Sequence, residues 1–355
     1  MLSVRSYLSI IPSELLTEVL LLLPPKEILS KDSDLEEFKR VCSQETFWER
    51  VWRKWVSPRL PKQLDRTIRE TISELVEKAK GRTPEDLLLQ GSFKGILFYV
   101  LEALERGSEI SMIENLALQE AAANGYFEIV RYLVEEGGAN VSAREDEALR
   151  HAAFWGYLDV VEYLVERGAN VFARDNEALI LAAANGHLDV VKYLVEKGAD
   201  ISARDDEALR WAARNGHLKI VQYLVEQGAN IFARDNEAFI AAAANGYLAV
   251  VKYLDEKGAN ISAQEDAALR EAAANGSLDV VKYLVKRGAN VSAREDEALR
   301  LAAENGHLYV VKYLVESGAN IAARNHEALR RAEESGDLDI VEYLVEMEKN
   351  PSDLD

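Results

Sequence analysis

Apolar and polar positions along most of this chain follow two nested periods. The short one is helical. Between Glu207 and Gln227, Ala208, Leu209, Ala212 and Ala213 share one helix face, and Leu218, Val221, Leu224 and Val225 recur at i, i+3, i+6 and i+7. The long period is 30 residues, marked by Gly-Ala-Asn or Gly-Ala-Asp at Gly138, Gly168, Gly198, Gly228, Gly258, Gly288 and Gly318. In outline each period reads E-A-L-x-x-A-A-x-N-G-H-L-x-V-V-x-Y-L-V-E-x-G-A-N. A fixed period of about 20–50 residues marks a solenoid whose units bury their apolar faces only on their neighbours.

Each unit is therefore expected to be a helical hairpin. Asp206, Asn236 and Asp296 are placed to cap a first helix with a side-chain oxygen, followed by Glu207, Glu237 and Glu297 on its positive end. Alanines on its packed face let neighbouring helices approach closely. Asn215-Gly216 breaks it, and Gly228 ends the second helix. Residues Ile231 to Arg234 are expected to form a short extended connector.

Ala212-Ala213, Asn215-Gly216-His217, Val221 and Gly228-Ala229-Asn230 resemble the core positions of ankyrin repeats. That family repeats every ~33 residues and opens its first helix with Thr-Pro-Leu-His. Here Glu207-Ala208-Leu209-Arg210 stands in its place and the period is 30. The projecting finger should thus be blunter and lack the threonine–histidine hydrogen bonding. The shortened form is similar to ankyrin arrays of large DNA viruses that infect amoebae. The pattern recurs eight times over residues 111–349. Residues 84–110 look like a ninth, degenerate repeat on its N-terminal side. His326, Arg330-Arg331 and Glu333-Glu334 suggest a polar C-terminal cap, and 350–355 a tail.

The repeats alternate. Phe172 and Phe232 accompany Ile180 and Ile240, whereas Ser142, Ser202, Ser262 and Ser292 accompany Arg150, Arg210, Arg270 and Arg300. Duplication of two-repeat blocks explains this, as does independent drift within a consensus.

Residues 1–62 follow another pattern. Ile11-Pro12-Ser13-Glu14-Leu15-Leu16 opens a helix with proline in its first turn, and Val19, Leu20 and Leu23 continue its apolar stripe. Pro24-Pro25-Lys26-Glu27-Ile28-Leu29 stops it and starts another. Val41-Cys42 and an aromatic group, Phe47, Trp48, Trp52 and Trp55, come later. This order resembles the F-box. Ile11 stands where that family has leucine, the tract from Leu29 to Val41 is acidic rather than apolar, and Ser43-Gln44 follows Val-Cys. A plain helical cap is the other reading. Residues 63–83 join the two parts, mainly as one helix. The fold class expected is all-α: a helical-hairpin solenoid behind a small N-terminal helical domain.

Charge separates the same two parts. Residues 1–80 carry a net +1 and the remainder −20, within a total of −19. So acidic a surface repels phosphate backbones, which argues against nucleic acid as a partner. The single cysteine, Cys42, rules out an intramolecular disulfide and points to a reducing compartment. No apolar run reaches the ~18 residues of a membrane span. A soluble, monomeric cytoplasmic protein is expected, in the host cytoplasm if the chain is viral.

Phosphate-loop, Rossmann, nucleophile-elbow and metalloprotease signatures are all missing. His187, His217 and His307 share a slot that Tyr157, Tyr247 and Ser277 also fill, so it reads as a packing or hydrogen-bonding position. No catalytic residue, metal or cofactor is expected, and hence no enzyme. Binding is expected on positions flanking the first-helix alanines: Arg150, His151, Phe154, Trp155, Ile180, Leu181, Arg210, Trp211, Arg214, Ile240, Arg270, Glu271, Arg300 and Glu304. In ankyrin arrays these face the target-binding groove. The exposed outer-helix positions Lys192, Gln222, Lys252 and Lys282 read as near-uniform solvated side chains. The F-box resemblance implies docking on a Skp-type adaptor through Ile11, Pro12, Leu15, Leu16, Val19, Leu20, Leu23, Pro24 and Ile28. Together the two resemblances imply a substrate receptor of a cullin–RING ubiquitin ligase, with an unknown protein as target. A scaffold with no ubiquitin link is the alternative.

Overall fold

The computed structural model describes residues 82–94, 114–135 and 137–349. The F-box-like segment, most of the joining segment (63–81) and residues 95–110 of the degenerate repeat lie outside the described residues. The chain divides into two compact units. One holds the described residues through Ala152 together with Glu166–Ala169, and the other holds Ala153–Val165 and the residues from Asn170 onward.

In the first unit, α1 (Pro84–Lys94) packs on α2 (Glu114–Ala123), which packs on α3 (Phe127–Glu135). Thr83 Oγ1 accepts the Asp86 amide at 3.1 Å, and Pro84 needs no such acceptor, so the chain can turn into α1 there. Leu87, Leu118, Ala121, Ala122, Val130 and Leu133 are buried. Two further helices, α4 (Ala143–Trp155) and α5 (Leu158–Glu166), contribute residues to both units.

The rest of the second unit alternates first and second helices. The first helices are α6 (Ala173–Ala184), α8 (Ala203–Arg214), α10 (Ala233–Ala244), α12 (Ala263–Ala274), α14 (Ala293–Glu304) and α16 (Ala323–Ser335). The second helices are α7 (Leu188–Glu196), α9 (Leu218–Glu226), α11 (Leu248–Glu256), α13 (Leu278–Lys286), α15 (Leu308–Glu316) and α17 (Leu338–Lys349). First helices of successive repeats pack side by side, with Ala182, Ala183, Ala212, Ala213, Ala242 and Ala243 fully buried between them. On the second helices the buried stripe is Ile220, Val221 and Leu224, and Leu218 and Val225 are half-buried at its edges. No strand occurs among the described residues.

Gly216 has φ +78°, and a Cβ there would lie 2.3 Å from the Tyr247 ring of the next repeat. The hairpin break therefore needs glycine twice, for backbone conformation and for space.

Two local expectations change. The connector is not extended: Phe232 is in the right-handed helical region, and Arg234, Asp235 and Asn236 are all left-handed at φ 48°, 55° and 66°. The same left-handed turn opens the first helix of each repeat from Arg144–Asp146 to Arg324–His326. Such a turn costs L-residues ~1–2 kcal/mol per residue, so its polar groups need firm partners. Its last residue supplies one. Asp206 Oδ1 accepts, at 2.8 Å, the amide of Asn230, the last residue of the same 30-residue period, and Asn176, Asn236, Asp266 and Asp296 act alike on Asp200, Asn260, Asn290 and Asn320. The side chain expected to cap its own helix thus ties the turn that opens a repeat to the Gly-Ala-Asn or Gly-Ala-Asp that ends it.

Candidate functional site

The fourteen side chains expected to flank the alanines separate into different environments. Arg150 and His151 belong to the first unit, and the others to the second. Arg210, Arg270 and Arg300 are buried. Arg210 donates from Nε to the Asp205 carbonyl at 3.0 Å, from Nη2 to the Arg204 carbonyl at 2.9 Å, and from Nη1 to Glu237 Oε2 at 2.8 Å. Arg270 and Arg300 repeat the arrangement, reaching Glu297 and Glu327. Arg150 likewise donates to the carbonyls of Glu145 and Arg144 at 3.3 and 3.4 Å. A left-handed turn cannot pass its carbonyls to the right-handed helix behind it, and these arginines supply the missing donors. They are internal fasteners rather than open groove residues, contrary to their placement from the sequence.

This explains the alternation of repeats. A buried arginine accompanies aspartate at the end of the left-handed turn, whereas isoleucine accompanies asparagine (Asn176 with Ile180, Asn236 with Ile240). Burial pushes the Asp206 carboxyl up, against the Asn230 amide and the Arg210 charge, which pull it down. Where isoleucine removes that charge, the neutral amide keeps the acceptor oxygen and escapes the desolvation cost. Ile180 is buried and Ile240 half-buried, so both contribute to packing.

The open positions are fewer. Leu181, Trp211, Ala241, Glu271 and Leu301 occupy one place in successive repeats, and Ala184, Arg214, Ala244, Ala274 and Glu304 another. Trp211 is 36% exposed and donates from Nε1 to Glu207 at 3.0 Å. The Arg214 guanidinium lies over its ring at 5.1 Å, within cation–π range. Each flanking position, Leu181 and Ala241 beside Trp211 and Ala184 and Ala244 beside Arg214, carries an apolar side chain. Trp155 is 56% exposed, its ring edge-on to Phe154 at 4.9 Å. Glu271 and Glu304 are exposed, the latter paired with Arg331. Glu207, which orients Trp211, is expected from the sequence only as an acidic residue at the start of the helix and not among the binding residues; its i, i+4 spacing from the tryptophan is the available signal.

The shared histidine slot is a hydrogen-bonding position. Nε2 of His187, His217 and His307 lies 2.9, 3.0 and 3.0 Å from the carbonyls of Phe154, Ala184 and Ala274, which places the hydrogen on that nitrogen. On the second helices, Lys252 and Lys282 lie over Tyr283 and Tyr313 of the next repeat at 5.7 and 5.8 Å, so these lysines fasten repeats rather than simply meeting solvent. The adaptor-binding residues expected from Ile11 to Ile28 lie outside the described residues.

A family model of ankyrin repeats matches residues 90–175, 173–235, 233–295 and 292–355. The chain belongs to the ankyrin-repeat family. Its repeats make it a protein–protein interaction module. No curated protein matches the sequence. No described helix is long and apolar enough to cross a membrane. In this ankyrin array the finger is closed by the left-handed turn described above, where a blunter finger and an extended connector are expected from the sequence.

Proposed function

We propose that the array holds a target protein on the exposed first-helix face centred on Trp211 and Arg214. The Trp211–Arg214 stack carries this reading: an oriented, partly exposed indole with a guanidinium over it, flanked by small or apolar side chains. Tryptophan and arginine are the residue types that dominate binding hot spots. The outer helices present lysines already engaged with tyrosines, and so fewer side chains for capture. Replacing both Trp211 and Arg214 by alanine should weaken target capture by about 2 kcal/mol, a hot-spot loss, with little change in melting temperature. Normal capture by that variant, with capture abolished by changing Lys192 instead, refutes the reading.

The F-box resemblance of residues 10–56 extends it to a substrate receptor: the N-terminal segment docks on the Skp-type adaptor of a cullin–RING ligase while the array presents the target. The likeness to viral arrays would place that ligase in a host cytoplasm. The test is binding of the full-length chain to recombinant Skp adaptor, against the Leu16→Asp, Leu20→Asp double variant. Binding lost only in the variant supports the receptor. No binding by the intact chain leaves a scaffold without ubiquitin chemistry, which the departures at Ile11 and Ser43-Gln44 favour.

A further inference from the structure

The exposed tips of the left-handed turns form a ladder of ion pairs, and one rung is missing. Arg204 Nε lies 3.8 Å from Asp175, Arg234 Nε 3.2 Å from Asp205, Arg294 Nε 2.9 Å from Glu265, and Arg324 Nε 2.5 Å from Glu295. Each arginine reaches back 29 residues to the acidic residue of the preceding repeat. At the corresponding place the chain has Gln264, whose side-chain amide donates to the Asp235 main-chain carbonyl at 3.4 Å. Among the described residues the Asp235 carboxylate has no cation within ion-pair distance. On the same turn, three residues earlier, Phe232 is 53% exposed.

The molecule carries its own control. Phe172 is exposed to the same 53% beside Asp175, but there Arg204 is present and also donates from Nη2 to the Arg174 carbonyl at 2.7 Å. The two turns share the Phe–Ala–Arg–Asp–Asn sequence and differ in whether the next repeat closes them with arginine or glutamine.

We propose that the Phe232–Asp235 turn is a docking point for an arginine of a partner protein, whose guanidinium takes the place of the missing rung while an adjacent apolar side chain packs on Phe232. Four occupied rungs show that a guanidinium fits this geometry. A chain of net charge −19 draws basic segments toward it over distances beyond contact. The site lies on the turns and is independent of the Trp211 face.

The test is a titration of the ¹⁵N-labelled full-length chain with the capped dipeptide N-acetyl-Leu-Arg-amide, against its neutral citrulline counterpart. Saturable shifts are expected at residues 232–235 and 262–265 with the arginine peptide, and about five-fold weaker binding with citrulline, the upper end for an exposed ion pair. Gln264→Arg closes the rung from within and should abolish the response, as should Asp235→Asn, which leaves the rest of the turn intact. Arg204→Gln should open a second responding turn at Phe172–Asp175. Equal response to the citrulline peptide, unchanged binding by Gln264→Arg or by Asp235→Asn, or no new response in Arg204→Gln would overturn the proposal.

Discussion

Arg210→Ile is expected to damage the array more by itself than in company with Asp206→Asn. The native guanidinium serves the carbonyls of Asp205 and Arg204 at 3.0 and 2.9 Å and Glu237 at 2.8 Å. Two acceptors left without a donor cost about 1–3 kcal/mol each. Loss of the Glu237 pair adds little, because that carboxylate is 39% exposed and water replaces the partner. Isoleucine returns up to about 1.5–3 kcal/mol through its own burial. The net cost should be about 2 kcal/mol, taking mid-range values of these terms. Adding Asp206→Asn recreates the pairing of Asn176 with Ile180 and should recover about 1 kcal/mol as a coupling energy.

The cycle is measured by urea denaturation with m-values checked, since repeat arrays can unfold in parts. Hydrogen exchange at the Asn230 amide, which donates to Asp206 Oδ1, reports the site directly. The sign of the pH dependence follows from the raised Asp206 carboxyl. The native state holds that proton more tightly than the unfolded chain, so stability from this group is fully present below about pH 3.9 and is lost as pH rises through the folded value. Asp206→Asn should therefore help most at neutral pH and lose its advantage in acid. Additive single changes, with no coupling beyond about 0.3–0.5 kcal/mol, would refute the charge-matching account of the alternating repeats.

Asp255 stands where the other repeats have valine, buried at the end of α11, and Tyr283 and Arg287 donate to it, Arg287 from 2.6 Å. Asp255→Val should be neutral within about 1 kcal/mol or stabilising, because Arg287 is 53% exposed and can be solvated, whereas Arg287→Ala strands a buried carboxylate and should lower the melting temperature. Burial by itself would raise the Asp255 carboxyl, but the bonds from Arg287 and Tyr283 together hold it below the usual range. Its stabilisation is therefore present above about pH 3.9 and fades as pH falls through the folded value, so the difference from Asp255→Asn should shrink on acidification. Gly228→Ala, at φ +98° with open space around a Cβ, should cost only backbone strain of about 1–2 kcal/mol. Gly216→Ala adds the collision with Tyr247 and should cost clearly more, and equal melting temperatures for the two variants would contradict this.

Helical hairpins, alanine-lined contacts and glycine breaks were legible in the sequence because each depends on residues within one turn of one another. Ala212, Ala213, Val221 and Leu224 are buried as their spacing predicted, and Gly216 and Gly228 adopt positive φ where the pattern breaks. The exposure of Trp155, Trp211, Arg214 and Glu271 was also readable, from positions that differ between repeats beside alanines that do not. The left-handed turn was not, since Arg204-Asp205-Asp206 contains no glycine to announce positive φ and its carbonyls accept from the side chain of Arg210, farther along α8. Nor were the links from Asp206 to Asn230, from His217 to Ala184 and from Arg287 to Asp255, which join residues 24–33 apart. Local periodicity says which face of a helix is apolar. Only the neighbouring repeat, packed in register, decides whether a polar side chain on that helix binds the array or remains open to a partner.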